Sequence, residues 1–426
     1  MNGTLKLAAL LATAVAIAAC GQGGTSNMPS STGTSQMGAP ASTQSVPEWQ
    51  AKHQARPGCK ELAEGVSCHL LISNYGVKRA SCSPSGGSCG WRPIDLQTRY
   101  GLGPYLGRGS GTIVAVIELG DMPTAASDLA AYRTEFDLGP ANFYKYNQYG
   151  QQGDYPESCE DFGFCLEEDL DIEMVSASCP ECTIYMIEGG NCGGVVCGLE
   201  GAETEAVTLG ATILSNSWGC HTGVYGADCG DPNFPNYFDT PGIAYLASSG
   251  DSGYNEIEYP AALENVLAVG GTQLALSGSV YSETVWSGAG AGCSTVTKPS
   301  WQHDPLCTGR TIADVSAEAG CSPGVAEYDS QYSGDWVDVC GTSVASPLTA
   351  GIVALAGNAS GITGGKTFWD RTRKKHRTDL HVITSGSDGS CGNTYLCEAG
   401  LTKKDGGYQT YDGPTGWGSP NGITLY

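Results

Sequence analysis

Short apolar runs alternate with helix-like segments from Gly109 onward. "TIVAVIEL" (112–119), "TIYMIEG" (183–189), "ATILSNSWG" (211–219) and "GIAYLASSG" (242–250) read as buried strands, and "TAASDLAAYRTEF" (124–136) and "AETEAVTLG" (202–210) read as helices. This order predicts an α/β fold with a mainly parallel central sheet flanked by helices. Ligands in such folds gather at the carboxyl ends of the strands. "SNSWG" and "SSGDSG" each follow an apolar run, so their loops are expected to open onto one crevice. No internal repeat interrupts the pattern.

The N-terminus departs from it. "MNGTLKLAALLATAVAIAAC" has one lysine, an apolar run from Leu7 to Ala19 and a small-small-Cys ending, which predicts an export signal too short to span a membrane comfortably. "IAAC" resembles a bacterial lipobox, so Cys20 is expected to become the lipidated first residue of an envelope lipoprotein, with a plain secretion signal as the alternative. Residues 21–47 have the Gly/Ser/Thr/Pro composition of a flexible tether, residues 48–91 form a Cys-containing extension, and residues 92–426 are expected to form the main domain.

Composition narrows the function classes. Setting Cys20 apart from the 19 cysteines leaves an even number, so disulfides are expected in an exported chain. The neighbours Cys82 and Cys89, Cys159 and Cys165, Cys192 and Cys197, Cys220 and Cys229, and Cys391 and Cys397 suggest local loop staples. "CPEC" at 179–182 lacks the second CxxC that a four-thiolate zinc site needs. The net charge of -23, from 44 acids against 21 bases, argues against nucleic acid or an anionic membrane as partner, leaving the lipid anchor as the only membrane contact. The basic cluster Arg371, Arg373, Lys374, Lys375 and Arg377 reads as a solvated helix face. A monomer is the default.

Three serine motifs compete for the chemistry. "SSGDSGY" (248–254) contains a string found in trypsin-like proteases, but the rest of that pattern is missing and the chain is α/β, which sets Ser252 aside as nucleophile. "GTSVASP" (341–347) has the subtilisin nucleophile arrangement, placing Ser343 near the amino end of a helix, where free N–H groups favour a developing anion. The other subtilisin parts fail: Glu118 stands where Asp-Thr-Gly is expected, and no His-Gly follows. A carboxylate base fits instead. "CLEEDLDIEMVSA" (165–177) puts Glu167 and Asp171 four apart, on one face of a helix. Glu168 with Asp171 is the fallback pair, and a solvated acidic face is the plain alternative for this segment.

Together with "SGDSG" and "GTSVASP", that segment resembles the serine-carboxyl peptidases, or sedolisins, over roughly residues 92–422. "VWSGAGAGCS" and "YDGPTGWGSPNG" belong to the same resemblance. It implies a subtilisin-like three-layer fold, Ser343 as nucleophile, Glu167 as general base, Asp171 as the carboxyl that orients it, and Asp251 as oxyanion partner. It also offers the backbone of Ser217, Trp218 and Gly219 to an extended substrate. An aspartic acid donates a hydrogen bond only while protonated, so the resemblance implies peptide hydrolysis in acid.

No cofactor is required for that chemistry. The family's structural calcium site looks degenerate here: Val382 stands at its first aspartate, Asp412 is kept, and Asp388 or Asp405 would have to rebuild the rest. A propeptide is expected to be absent or vestigial. The rival readings are a catalytically inactive surface lipoprotein or binding module that retains the fold, and a glycosidase using Glu167 and Asp251.

Overall fold

The predicted strands assemble around one sheet. In the computed structural model, residues 55–62, 65–73, 90–221, 229–331, 335–372, 379–401 and 411–426 are described. The expected leader with Cys20, the tether, Cys82 with Cys89, and Arg373, Lys374, Lys375, Arg377 and Asp405 lie outside these residues.

Early strands β1 (Ala55–Pro57), β2 (Val66–Cys68) and β3 (Leu71–Ser73) precede helix α1 (Pro93–Arg99). There follow β4 (Ile113–Leu119), α2 (Ala125–Glu135), β5 (Asn142–Asn147), α3 (Cys165–Ser178), β6 (Thr183–Gly189) and α4 (Val195–Thr208). Next come β7 (Ile213–Asn216), β8 (Trp218–His221), β9 (Ala244–Ser248), β10 (Glu258–Tyr259), β11 (Val266–Ser277) and β12 (Val280–Val285). After these come β13 (Gly292–Thr297), β14 (Gly309–Ile312), β15 (Val315–Glu318), β16 (Val325–Asp329), β17 (Asp335–Cys340) and α5 (Thr342–Ala356), and the chain closes with helix α6 (Lys366–Thr372) and strands β18 (Leu380–His381) and β19 (Ser419–Pro420).

The central sheet has the order β12-β11-β9-β7-β4-β6-β5, with β15 also pairing with β11. All of its pairings are parallel except that of β12. Continuous burial along β4, β7 and β9 is what parallel strands covered by helices require. Helices α3 and α5 pack on each other and against this sheet, so residues at their amino ends converge.

Two sequence expectations shift. The helix expected over 202–210 begins at Val195, because Val195, Val196, Leu199, Ala202 and Ala206 form a single buried stripe that starts there. The run 211–219 is not one strand. β7 stays in the central sheet, while β8 leaves it and takes β2 on one side and β10 on the other, both antiparallel. β3 likewise joins β1 and β17 in a separate sheet. The segment 55–73 is therefore stitched into the later chain by main-chain hydrogen bonds.

Four of the expected cysteine pairs, 159–165, 192–197, 220–229 and 391–397, are disulfides. Cys179 and Cys182 of the CPEC segment are bonded to each other, so neither is free for a metal. Cys59–Cys68, Cys293–Cys307 and Cys321–Cys340 join cysteines that local spacing left unassigned. Among the described residues no helix is long and apolar enough to cross a membrane.

Candidate active site

The site forms where β17 turns into α5. Gly341 makes that turn at φ 119°, a conformation open mainly to glycine, and a Cβ there would lie 2.1 Å from the His69 carbonyl oxygen and 2.5 Å from Asp251 Oδ2. Ser343 follows in the first turn of α5. Pro347, four residues on, has no N–H to offer the Ser343 carbonyl, which instead faces the Ser217 hydroxyl at 3.5 Å.

Glu167 lies in the first turn of α3, and Ser343 Oγ donates to its Oε2 at 2.9 Å. Asp171, one turn later, accepts from Ser217 Oγ at 2.7 Å. Asp251 comes from the loop after β9. Its Oδ1 accepts from the Thr342 N–H at 2.8 Å and the Thr342 hydroxyl at 2.9 Å, and its buried Oδ2 has no hydrogen-bond partner. The structure thus brings Ser343, Glu167, Asp171, Asp251 and Ser217 together. Trp218 and Gly219 lie beside them on β8, with Trp218 buried against Phe234.

The acidic segment is no solvated face. Glu167, Glu168, Asp169, Asp171 and Glu173 are all at most 1% exposed. Glu168, the fallback base, feels Glu188, Asp169 and Lys145 rather than Ser343. So many buried carboxyls cannot all carry charge, since each unpaired anion would forfeit several kcal/mol of hydration. Burial and the Asp171 charge push Glu167 well above the usual carboxylate range, against the pull of the Ser343 hydroxyl. Burial pushes Asp171 up to about 8, held back by bonds with Ser217, Glu118 and Glu167. Burial also raises Asp251 to about 7, opposed by the His69 charge and the bonds from Thr342.

Glu118 was legible only as a misfit to the subtilisin pattern. On β4 it meets Asp171, and burial together with that neighbour raises it well above the usual range. Carboxyls 118, 171 and 167 touch in sequence, which requires protons between them, and the row ends on the Ser343 hydroxyl.

Sequence reasoning missed a second component. Residues 66–69 lie along β8 antiparallel, with Ser67 opposite Gly219 and Cys68 opposite Trp218. The His69 N–H donates to the Ser217 carbonyl at 3.1 Å, and the Ser343 N–H donates to the His69 carbonyl at 3.2 Å. The His69 ring enters a pocket in which its Nε2 lies 2.5 Å from Glu258 Oε2 and its Nδ1 lies 2.5 Å from Ser248 Oγ. The chain's own strand thus roofs Ser343, which is fully buried. No local signal announces this contact, since His69 and Glu258 are 189 residues apart.

Asp412 lies away from these groups. Its Oδ1 caps a turn through the N–H and hydroxyl of Thr415. Buried Asp388 feels the Asp412 charge, but Val382 contributes no side-chain oxygen, and the clusters of three potential ligand side chains among the described residues lie elsewhere. A calcium ion needs six or more oxygens, and of the residues expected to rebuild such a site Asp405 lies outside the described ones.

The subtilase family matches residues 161–418. Kumamolisin of Bacillus sp. (strain MN-32) is 28% identical over 374 residues, covering 80% of this chain and 64% of its own length. Sedolisin of Pseudomonas sp. (strain 101) is 27% identical over 397 residues, covering 84% of this chain and 64% of its own length. A solved structure of Pseudomonas sedolisin, a serine-carboxyl proteinase complexed with two molecules of pseudo-iodotyrostatin, superposes with a TM-score of 0.66 at 26% identity, over 79% of this chain and 96% of that one. The chain therefore spans less than two thirds of the length of the two full-length relatives.

Proposed function

The chain belongs to the subtilase family as a sedolisin-type member, and on that premise we propose that it is an exported serine-carboxyl endopeptidase that hydrolyses peptide bonds in acid. The observation that carries this reading is the hydrogen bond from Ser343 Oγ to Glu167 Oε2, which gives the nucleophile a base without imidazole.

A substrate strand lies on β8 with its carbonyl toward the Ser343 N–H. Ser343 Oγ attacks the carbonyl carbon as its proton passes to Glu167. The negative charge moves to the carbonyl oxygen, where the Ser343 N–H and a protonated Asp251 donate to it. Removing one such donor typically costs about 10²–10³ in turnover. The carbon–nitrogen bond then breaks, Glu167 returns its proton to the leaving amine, and the acyl group stays on Ser343. Water, deprotonated by Glu167, hydrolyses the ester and restores the hydroxyl. Asp171 and Glu118 hold their protons throughout, which removes the Asp171 charge that would raise Glu167 and lets the one charge of the row sit on Glu167.

Acid is required at one particular place. Asp251 donates only below its raised value of about 7, so turnover falls as the pH climbs through it. Eight disulfides among the described residues suit an oxidising compartment, which supports export. A lipid anchor at Cys20 rests on the leader sequence.

Casein or peptide digestion between about pH 3 and pH 7, comparing the wild-type chain with Ser343→Ala, tests the reading. Digestion that vanishes in the variant supports it. Digestion that survives removes Ser343 from the mechanism, and a wild-type chain inert across the range leaves a binding module that retains the fold.

A further inference from the structure

The pocket that receives His69 is built for a positive charge. Its floor is Glu258, which pairs through β10 with the same strand, β8, that holds the backbone of residues 66–69. Glu258 is nearly fully buried, yet the His69 charge and hydrogen bond keep its carboxyl below the usual range despite that burial. His69 is raised in turn: burial disfavours its charge, and Glu258 outweighs burial, with Asp251 and Glu256 helping. His221, 3.7 Å from Glu258 Oε1 and 3.2 Å from Glu256, also faces the floor, and Glu256 and Asp251 feel the Glu258 charge as well. Gly219 keeps the pocket open, because a Cβ there would fall 2.0 Å from Glu258 Oε2 and 2.8 Å from the His69 ring.

The backbone in this pocket has the pose of a substrate. The His69 N–H meets the Ser217 carbonyl, its carbonyl meets the Ser343 N–H, and the next bond is His69–Leu70. Resting on the peptidase reading above, we propose that Glu258 selects a positively charged side chain on the acyl side of the cleaved bond, and that His69–Leu70 of this chain is one bond it selects. Cleavage there follows the balanced steps already given: the His69 carbonyl carbon bonds to Ser343 Oγ, its bond to the Leu70 nitrogen breaks, and that nitrogen takes the proton held by Glu167. A neutral side chain in the pocket removes the partner that holds Glu258 ionised, so the buried carboxyl either stays charged and unpaired or takes a proton and loses its attraction, a loss that falls on binding and transition state alike.

The test incubates the full chain in acid and reads new termini by mass spectrometry, alongside a peptide mixture of varied sequence supplied in trans. The expected wild-type result is a terminus at Leu70, absent from Ser343→Ala. In trans, cuts after His, Arg and Lys together are expected to exceed cuts after Leu or Gln at least tenfold. His69→Leu, which leaves the pocket itself intact, should slow the self-cut at least tenfold, and Glu258→Gln should erase the preference in trans. Ser343-dependent cleavage without a basic preference, or a preference that survives Glu258→Gln, overturns the proposal and leaves the peptidase reading standing. No Ser343-dependent cleavage of any kind overturns the peptidase reading itself. The wild-type and His69→Leu results decide the matter even if Glu258→Gln does not fold.

Discussion

In the proposed mechanism a base and a donor are both made from carboxyl groups, and their surroundings set which is which. Glu167 faces the hydroxyl it must deprotonate, whereas Asp251 keeps Oδ1 on Thr342 and leaves Oδ2 free beside the carbonyl that would become an oxyanion. Two substitutions separate the roles. Glu167→Gln should lower kcat by about 10²–10⁴ with KM nearly unchanged, in steady-state assays on one peptide, because it removes a base and not a binding contact. Asp251→Asn keeps an N–H donor at every pH, so its activity should persist above pH 7, where that of the wild type declines as Asp251 loses its proton at about 7. An unchanged alkaline limb would remove Asp251 from the oxyanion role. Asp251 was reached only through the resemblance to the sedolisins, whereas the Glu167–Asp171 pair was legible from helical spacing and Ser343 from its motif. Glu118 and the His69–Glu258 pair were not, since each depends on strands whose partners lie far away in sequence.

At the level of elements, the site depends on how α5 begins. β17 delivers Cys340 and Gly341 to a turn that leaves no space for a side chain, and the Cys321–Cys340 disulfide closes a separation of 19 residues just ahead of it. Replacing both cysteines with serine should cost about 2–4 kcal/mol of stability by chemical denaturation, mainly by freeing the unfolded chain. The expected strands and helices reappear because their apolar runs are long and well spaced. Boundaries failed where packing overrides local pattern. The run 211–219 reads as one strand, yet its second half is recruited by residues 66–68 and 258–259, and no periodicity within the run records that choice.

Across the whole molecule, burial raises many carboxyls of the core. Asp171, Glu188 and Glu203 are raised to about 8, and Asp251, Asp338 and Asp412 to about 7, mainly by burial. A carboxyl raised on folding binds its proton more tightly in the folded chain than in the unfolded one. Its contribution is complete below the unfolded value, near pH 4, and is lost as the pH rises through the folded value. Tm should therefore be highest in mild acid and fall steadily towards pH 8; a Tm that rises over that interval would contradict the burial of these groups. The His69–Glu258 pair adds a narrower window, complete between the unfolded values of about 4 and 6.5, weakening on either side of it and gone beyond the shifted values of the two partners. The central claim, a serine activated by a carboxylate and answered by a protonated acid, is tested most directly by kcat/KM against pH for the wild-type chain on one peptide with arginine before the cleaved bond. The account predicts a maximum in acid and a decline through about pH 7; a rate that climbs through neutrality to a plateau in alkali, as an imidazole base would give, would contradict it.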